Sequence, residues 1–105
     1  MELWAGRRSL LVGVPTGEVT GFDVLDIDFQ HGGKLFLDEH GSKLPLGARI
    51  HQTRSGGLHF LFRHKQGMRN SQALIAPGVD VRGDGGYAIW WPAYGYPVGT
   101  WMPTP

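Results

Sequence analysis

The segment FDVLDIDF, which begins at Phe22, constrains the fold more than any other part of the chain, because its residues alternate with the period of a β-strand. Successive side chains of a strand point to opposite faces of a sheet. One face is apolar and carries Leu25, Ile27 and Phe29. The other face changes from apolar to acidic toward the end of the strand, where Asp26 and Asp28 stand. The sequence therefore predicts a half-buried strand with two carboxylates on its exposed face.

Other segments show strand features as well. The segment LHFLFRH places Leu58, Phe60 and Phe62 on one face and His59 on the other, directly after the glycines of RSGG. The segments Val79–Arg82 and Tyr87–Trp91 flank GDGG. We predict a hairpin there because the dipeptides Asp-Gly and Gly-Gly readily adopt the positive φ angles of tight turns. Shorter strands are predicted over 9–14 and 50–53.

Helical signals are weaker than strand signals in this sequence. We predict a helical turn around Lys34–Glu39, and either a short helix or an irregular connection over Gln66–Ile75. The predicted fold class is α+β, with a strand-dominated antiparallel or mixed sheet and one or two short helices.

Length and composition limit the number of domains and the class of protein. A chain of 105 residues has the size of one domain, and 41% apolar residues suffice for a core. We expect a single domain over residues 1–105, ending in a flexible tail over about 95–105. The absence of cysteine excludes disulfides and thiolate metal sites. Because we find neither a long apolar run nor a signal peptide, we expect a soluble cytoplasmic protein without a membrane partner.

The paired acids at Asp26 and Asp28 have two explanations. Neighbouring carboxylates on a partly buried surface repel each other and lose hydration, and divalent cations bound between them would remove both costs. Alternatively, the strand lies at an edge of the sheet and both aspartates face water. A motif this short does not decide between a metal site and a solvated edge.

Two further segments carry polar residues that suit a phosphate ligand. In TRSGGLHF, glycines allow a close approach of backbone N–H groups to an anion, and Arg54, Ser55 and His59 are available as donors. In GVDVRGDGGY, Asp80 and Arg82 share one face of a strand, whereas Asp84 is most simply a turn residue. Taken alone, the first of these segments is better explained by an ordinary hairpin turn followed by a solvent-facing histidine. Asp80, as an acid within a strand, needs either solvent or a partner.

Taken in order, TGEVTGFDVLDID, TRSGGLHFLF and GVDVRGDGGY resemble the three motifs of the bifunctional DNA primase/polymerase domain of the archaeo-eukaryotic primase superfamily. The resemblance extends from about Val12 to Pro92. Members of this family are typical of phages, prophages and plasmids. Three motifs in the correct order and spacing are a specific signal, although each is weak alone.

The resemblance implies the roles of particular residues. Asp26, Asp28 and Asp80 would hold two divalent cations, Mg²⁺ or Mn²⁺, and with His59 they would form the catalytic set. His59 would contact the phosphates of the incoming nucleotide. The wider nucleotide-binding set that the resemblance implies is Arg54, Ser55, Gly56, Gly57, His59 and Arg82.

The implied reaction is a two-metal transfer of a nucleotide from a nucleoside triphosphate to a 3′-hydroxyl on a DNA template. Nucleoside triphosphates and a DNA template with its primer are the expected partners, a replicative helicase is a further candidate, and a homodimer is a candidate assembly. The basic block from Arg49 to Arg69 is a candidate for template phosphates.

The chain departs from the family pattern in three places. It begins near the first strand, where the family carries a further N-terminal portion, and we expect this to limit template binding and activity. It has WWPAY where a Pro-Pro-Ser-like turn is usual, and Gly57 where a serine often precedes the histidine. Two alternatives to a polymerase therefore stay open, namely an inactive truncated remnant that at most binds nucleotide or nucleic acid, and a metal-dependent phosphoesterase.

Aromatic residues cluster near the end of the chain, at Trp90, Trp91, Tyr94, Tyr96 and Trp101. Such residues stack on bases in many nucleic-acid-binding proteins. For Trp90 and Trp91 we favour a place in the core or in a lid over it. Without cysteines, we do not expect the five histidines to form a zinc site.

Overall fold

A computed structural model describes residues 12–45 and 47–102. Within these ranges the chain forms eight β-strands and one α-helix. The strands are β1 Gly13–Pro15, β2 Phe22–Ile27, β3 Arg49–Gln52, β4 Leu58–Arg63, β5 Ser71–Ala76, β6 Val79–Arg82, β7 Tyr87–Ile89 and β8 Val98–Thr100. The helix α1 spans Gly33–His40, and short 3₁₀ turns span Phe29–His31, Gly41–Lys43 and Trp91–Tyr94. This architecture confirms the predicted strand-dominated α+β class.

The main sheet is antiparallel and has the strand order β5-β6-β2-β4-β3-β8, so that β2 lies near its centre. The apolar face that the sequence predicted for β2 forms the core. Leu25 and Ile27 pack there with Phe60 of β4 and with Val79 and Val81 of β6. Phe36 and Leu37 of α1 cover this face. The opposite face carries Asp26 and borders a cleft.

The helix α1 starts where β2 leaves the sheet. The Asp28 side chain accepts a hydrogen bond from the Gln30 backbone N–H and so caps the first 3₁₀ turn. Gly32 then adopts a φ of 104°, which glycine tolerates best, and Gly33 packs against the Asp28 carbonyl. This confirms the predicted helical turn. No helix in the described ranges is long and apolar enough to cross a membrane.

The predicted hairpin across GDGG is wrong. Strand β6 pairs with β2 and β5, whereas β7 pairs with β1 in a separate two-stranded ribbon. Buried Thr16 explains the change of partner, because its hydroxyl donates to the Gly83 carbonyl at 2.7 Å and its N–H donates to the Gly86 carbonyl at 3.0 Å. These bonds hold the GDGG turn against the end of β1 and direct the chain away from β6.

Two other segments differ from expectation. Ser71–Ala76, expected to be helical or irregular, forms edge strand β5, with a register shift between Gln72 and Ala76. Residues 98–102 belong to the tail that was expected to be flexible, but β8 pairs with β3, and the Trp101 ring packs on Phe60 at 5.1 Å. Residues 103–105, and residues 9–11 of the strand predicted over 9–14, lie outside the described residues, while Gly13 and Val14 belong to β1.

Candidate functional site

One row of polar side chains crosses the face of the main sheet that carries Asp26. The strand register aligns one residue from each of five adjacent strands. In their order across the sheet these residues are Gln72, Asp80, Asp26, His59 and His51. The sequence predicted three members of this row, and antiparallel pairing of β6, β2 and β4 brings them together. Neighbours in such a row have Cβ atoms about 5 Å apart, so their charges interact strongly.

Asp26 and Asp80 face each other across the β2–β6 pair. Each side chain is 28% exposed, and two like charges directly opposite on adjacent strands destabilise a sheet unless something compensates them. Each of the two carboxylates has a basic side chain beside it. The His59 Nε2 atom lies 3.5 Å from an Asp26 carboxylate oxygen, and an Arg82 guanidinium nitrogen lies 3.4 Å from an Asp80 oxygen.

Asp28 follows the end of β2 and lines the same cleft as Asp26. One of its carboxylate oxygens accepts the hydrogen bond from the Gln30 N–H at 3.0 Å, and the other lies 2.7 Å from the His31 Nδ1 atom. Asp28 therefore has a structural role as a cap in addition to its place in the cleft.

The face that carries Asp26 borders a cleft of about 510 Å³. This volume is within the range of small-molecule binding sites. Polar side chains of the main sheet and its loops form one part of the lining: Asp26, Asp28, Thr53, Ser55, His59, Asn70, Gln72 and Arg82. The chain from Gly85 to Ile89, together with Trp91, forms another part. The cleft thus combines charged groups with a partly apolar wall.

The RSGG turn between β3 and β4 is shaped by its own hydrogen bonds. The Thr53 hydroxyl accepts a bond from the Gly57 N–H at 3.0 Å and contacts the Ser55 hydroxyl at 3.2 Å. Gly56 adopts a φ of 90°, and Gly57 packs so closely on the Ile27 carbonyl that a Cβ would overlap its oxygen. The turn therefore sits against the end of β2, with Ser55 in the lining of the cleft.

Arg54 takes a different position from the one expected. Its guanidinium lies over the Trp91 ring, 5.4 Å from the ring centroid, and Arg54 is not among the residues that line the cleft. Trp91 does line the cleft, which differs from the expected core or lid position. Trp90 instead packs beside the row, with its ring edge-on to His51 at 4.7 Å.

His51 is a member of the row that sequence reasoning missed. It is 1% exposed, and the Arg49 Nε–H donates to its Nε2 atom at 2.8 Å. Burial, followed by the charges of Arg49 and His59, lowers the pKa of His51 to about 4. His51 is therefore neutral near pH 7. The RSGG turn could have indicated this position from the sequence, because a hairpin centred on the turn places His51 opposite His59.

A second histidine, His64, contacts acidic residues from two other segments of the chain. Its Nδ1 atom lies 2.8 Å from a carboxylate oxygen of buried Asp23, and its Nε2 atom lies 3.4 Å from Asp84. The hydrogen bond with Asp23 raises the pKa of His64, and the charges of Asp23, Asp84 and Glu18 act in the same direction. Asp84 also accepts a bond from the Glu18 N–H at 2.9 Å. Asp84 is therefore more than a turn residue. The signal for this cluster was Asp23, an acid on the apolar face of β2.

The order of these motifs and their convergence on one cleft agree with a comparison of the whole sequence. The family model described as bifunctional DNA primase/polymerase, N-terminal, matches residues 1–102. The chain belongs to this family. No curated protein and no solved structure matches it significantly.

As a primase/polymerase-family chain, it would be expected to use divalent cations, and the donor set can be tested for fit. Asp26 and Asp80 offer oxygen ligands of the kind that hard divalent cations prefer. They face each other on adjacent strands, and Asp26 lines the cleft. Across residues 12–45 and 47–102, however, no three His, Asp or Glu side chains form a ready-made ligand set. The chemistry of the donors fits at Asp26 and Asp80, while the Asp28 carboxylate is engaged by Gln30 and His31.

Proposed function

We propose that this chain is the nucleotidyltransferase core of a replication primase-polymerase, of the kind found in prophages and plasmids, and that it transfers nucleotides from nucleoside triphosphates to a 3′-hydroxyl on a DNA template. The family assignment supports a primase/polymerase role in general. The observation that carries the specific proposal is the row Asp80, Asp26 and His59, in which two carboxylates and a histidine are neighbours on adjacent strands, with Asp26 and His59 in the lining of one cleft.

In this proposal Asp26 and Asp80 hold the divalent cations, and Asp28 contributes from the end of β2. When bound, the cations lower the pKa of the attacking hydroxyl and stabilise charge on the triphosphate. Two carboxylates opposite each other, one of them in the lining of the cleft, concentrate negative charge there, which favours the binding of a cation. The Arg82 guanidinium, 3.4 Å from Asp80, would then become available to phosphate oxygens.

His59 is well placed to orient a triphosphate. Its side chain is 8% exposed, and it stands between Asp26 and His51 in the row, so its ring has little freedom to turn. Ser55 and the RSGG backbone border the same cleft and add neutral hydrogen-bond donors. Fixed donors of this kind stabilise charge on phosphates without first having to reorganise.

The first experiment is an Mn²⁺ titration of ¹⁵N-labelled protein, in which paramagnetic broadening of backbone amides locates the ion. We expect broadening centred on Asp26 and Asp80, and its loss in Asp26→Asn. Asp28→Asn serves as the matched comparison, since it keeps the size of the side chain and removes the charge two residues away. If Asp28→Asn leaves the broadening unchanged, Asp28 acts as a cap and not as a ligand. Broadening that is absent, or that persists in Asp26→Asn, would contradict the metal site.

The second experiment measures extension of a primed DNA template with labelled nucleotides in the presence of Mn²⁺. Incorporation that is lost in Asp26→Asn and Asp80→Asn would support the polymerase. Release of nucleotides from the template would instead indicate a phosphoesterase that uses the same carboxylates.

A nucleotide-binding protein without catalysis is the second candidate. It is favoured because each of the three carboxylates already contacts a basic side chain, with which a cation must compete. The pairs are Asp26 with His59, Asp80 with Arg82, and Asp28 with His31. Nucleotide binding without extension would support this candidate over the polymerase.

A further inference from the structure

Two aromatic residues, Tyr87 and Trp91, line the cleft, and the Trp91 ring is held by aromatic contacts with residues outside the lining. Trp91 opens the 3₁₀ turn Trp91–Tyr94 and lines the cleft. Tyr94 and Tyr96 contact this ring with their planes tilted by 63° and 70°, at centroid distances of 6.1 and 5.3 Å. Such edge-to-face contacts hold an indole ring in place and leave area of the ring available to another group.

A planar group already lies on the Trp91 ring. The Arg54 guanidinium lies 5.4 Å from the ring centroid, although Arg54 itself is exposed. A guanidinium is flat, delocalised and weakly hydrated, and it stacks on aromatic faces much as a nucleobase does. The ring therefore presents a face suited to a flat polar partner. Arg54 belongs to the same RSGG turn as Ser55, and so it links this ring to the polar part of the cleft.

The chemistry of the cleft matches the two ends of a nucleotide. Ser55, His59 and Arg82 provide donors for phosphates, while Trp91 and Ile89 provide an apolar wall. Aromatic stacking accepts every base, because each base has a π face, and a polymerase that follows a template must accept all of them. A stacking wall supplies affinity for the base and leaves the choice of base to pairing with the template.

We propose that Trp91 is the residue on which the base of the incoming nucleoside triphosphate stacks, with Arg54 at the junction between base and phosphates. This inference rests on the proposed nucleotide-binding function and assigns a base-binding role to one ring of the cleft.

The test compares binding of a purine nucleoside triphosphate with binding of inorganic tripolyphosphate, measured by calorimetry with Mn²⁺ present. Trp91→Leu removes the aromatic face, and Trp91→Phe keeps a smaller one. Trp90→Leu is the matched control, because Trp90 is the adjacent tryptophan and lies outside the cleft lining. Loss of one stacked base corresponds to a fall in affinity of about 5- to 150-fold.

We expect Trp91→Leu to weaken binding of the nucleoside triphosphate by this factor and to leave tripolyphosphate binding unchanged. Trp91→Phe should retain most of the affinity, and Trp90→Leu should not discriminate between the two ligands. An equal loss for both ligands in Trp91→Leu would show that the ring acts through the structure of the cleft, and would overturn the inference. Unchanged nucleotide binding in Trp91→Leu would overturn it as well.

Failure of the proposed function has a different signature. If the wild-type protein binds neither ligand, the nucleotide site itself is refuted, and the stacking role with it. If it binds both ligands with equal affinity, the phosphate site stands and the base contributes nothing, which overturns the stacking role alone.

Discussion

Acidification should destabilise the fold through His51. Its side chain is neutral in the folded protein because burial lowers its pKa from 6.5 to about 4. In the unfolded chain the same imidazole takes up a proton near pH 6.5. Below that pH the unfolded state binds more protons than the folded state, so the free energy of unfolding decreases as pH falls toward 4.

The magnitude follows from the two pKa values. At pH 5 the unfolded imidazole is almost fully protonated and the folded one is almost fully neutral, so the difference corresponds to about 1.5 units of pH, or about 2 kcal/mol. This is a large share of the stability of a small domain, which is typically about 5 to 15 kcal/mol.

Urea unfolding at pH 7.5 and pH 5.0 measures this effect when wild type is compared with His51→Gln. Glutamine does not titrate, and its carbonyl oxygen can still accept the bond from the Arg49 Nε–H. Carboxylates and other histidines contribute equally to both proteins, so the difference between the two pH-dependent losses isolates His51. We expect wild type to lose about 2 kcal/mol more than the variant over this interval. Equal losses in the two proteins would refute a buried neutral His51.

Three further predictions concern stability and the positioning of the cleft. Because Asp23 raises the pKa of His64, that histidine contributes stability that is fully present below pH 6.5 and is lost as pH rises through its folded pKa, and His64→Gln should flatten this alkaline slope in urea unfolding. Gly57→Ala should destabilise more than Gly56→Ala in thermal unfolding, because a Cβ at Gly57 overlaps the Ile27 carbonyl, whereas Gly56 has open space and only the strain of positive φ, about 1 to 3 kcal/mol. Trp101→Ala should cost about 3 kcal/mol in urea unfolding because the ring packs on buried Phe60.

Each of these has a result that would count against it. An unchanged alkaline slope in His64→Gln would mean that Asp23 and His64 are not coupled. Equal stability of the two glycine variants would mean that the RSGG turn does not pack on β2. A Trp101→Ala protein as stable as wild type would place the ring outside the core.

The face assignments were predictable from the sequence because they depend on local periodicity. Alternation in FDVLDIDF and in LHFLFRH correctly placed Leu25, Ile27 and Phe60 on the core face of the sheet and Asp26 and His59 on the opposite face. Antiparallel pairing of strands that carry one polar residue each then suffices to form the row. The fold class and the helix near Lys34 were accessible for the same reason.

What failed depends on contacts distant in sequence. The hairpin across GDGG is favourable locally, but Thr16, about 70 residues away in sequence, donates hydrogen bonds to the carbonyls of Gly83 and Gly86. Strand β5 gains its hydrogen bonds from β6 and has little strand signal of its own. His51 and His64 were missed because their environments are assembled by β3–β4 pairing and by the packing of three segments around Asp23.

The β1–β7 ribbon and the six-stranded sheet contribute different parts of the cleft lining. Its three residue pairs hold Tyr87, Ala88 and Ile89 in the wall, while the carboxylates lie on the six-stranded sheet. Substitutions in β1 can therefore alter the shape of this wall and leave Asp26 and Asp80 in place. The residues that shape this wall and the carboxylates of the proposed site thus belong to different sheets, so that a change in one sheet need not rebuild the other.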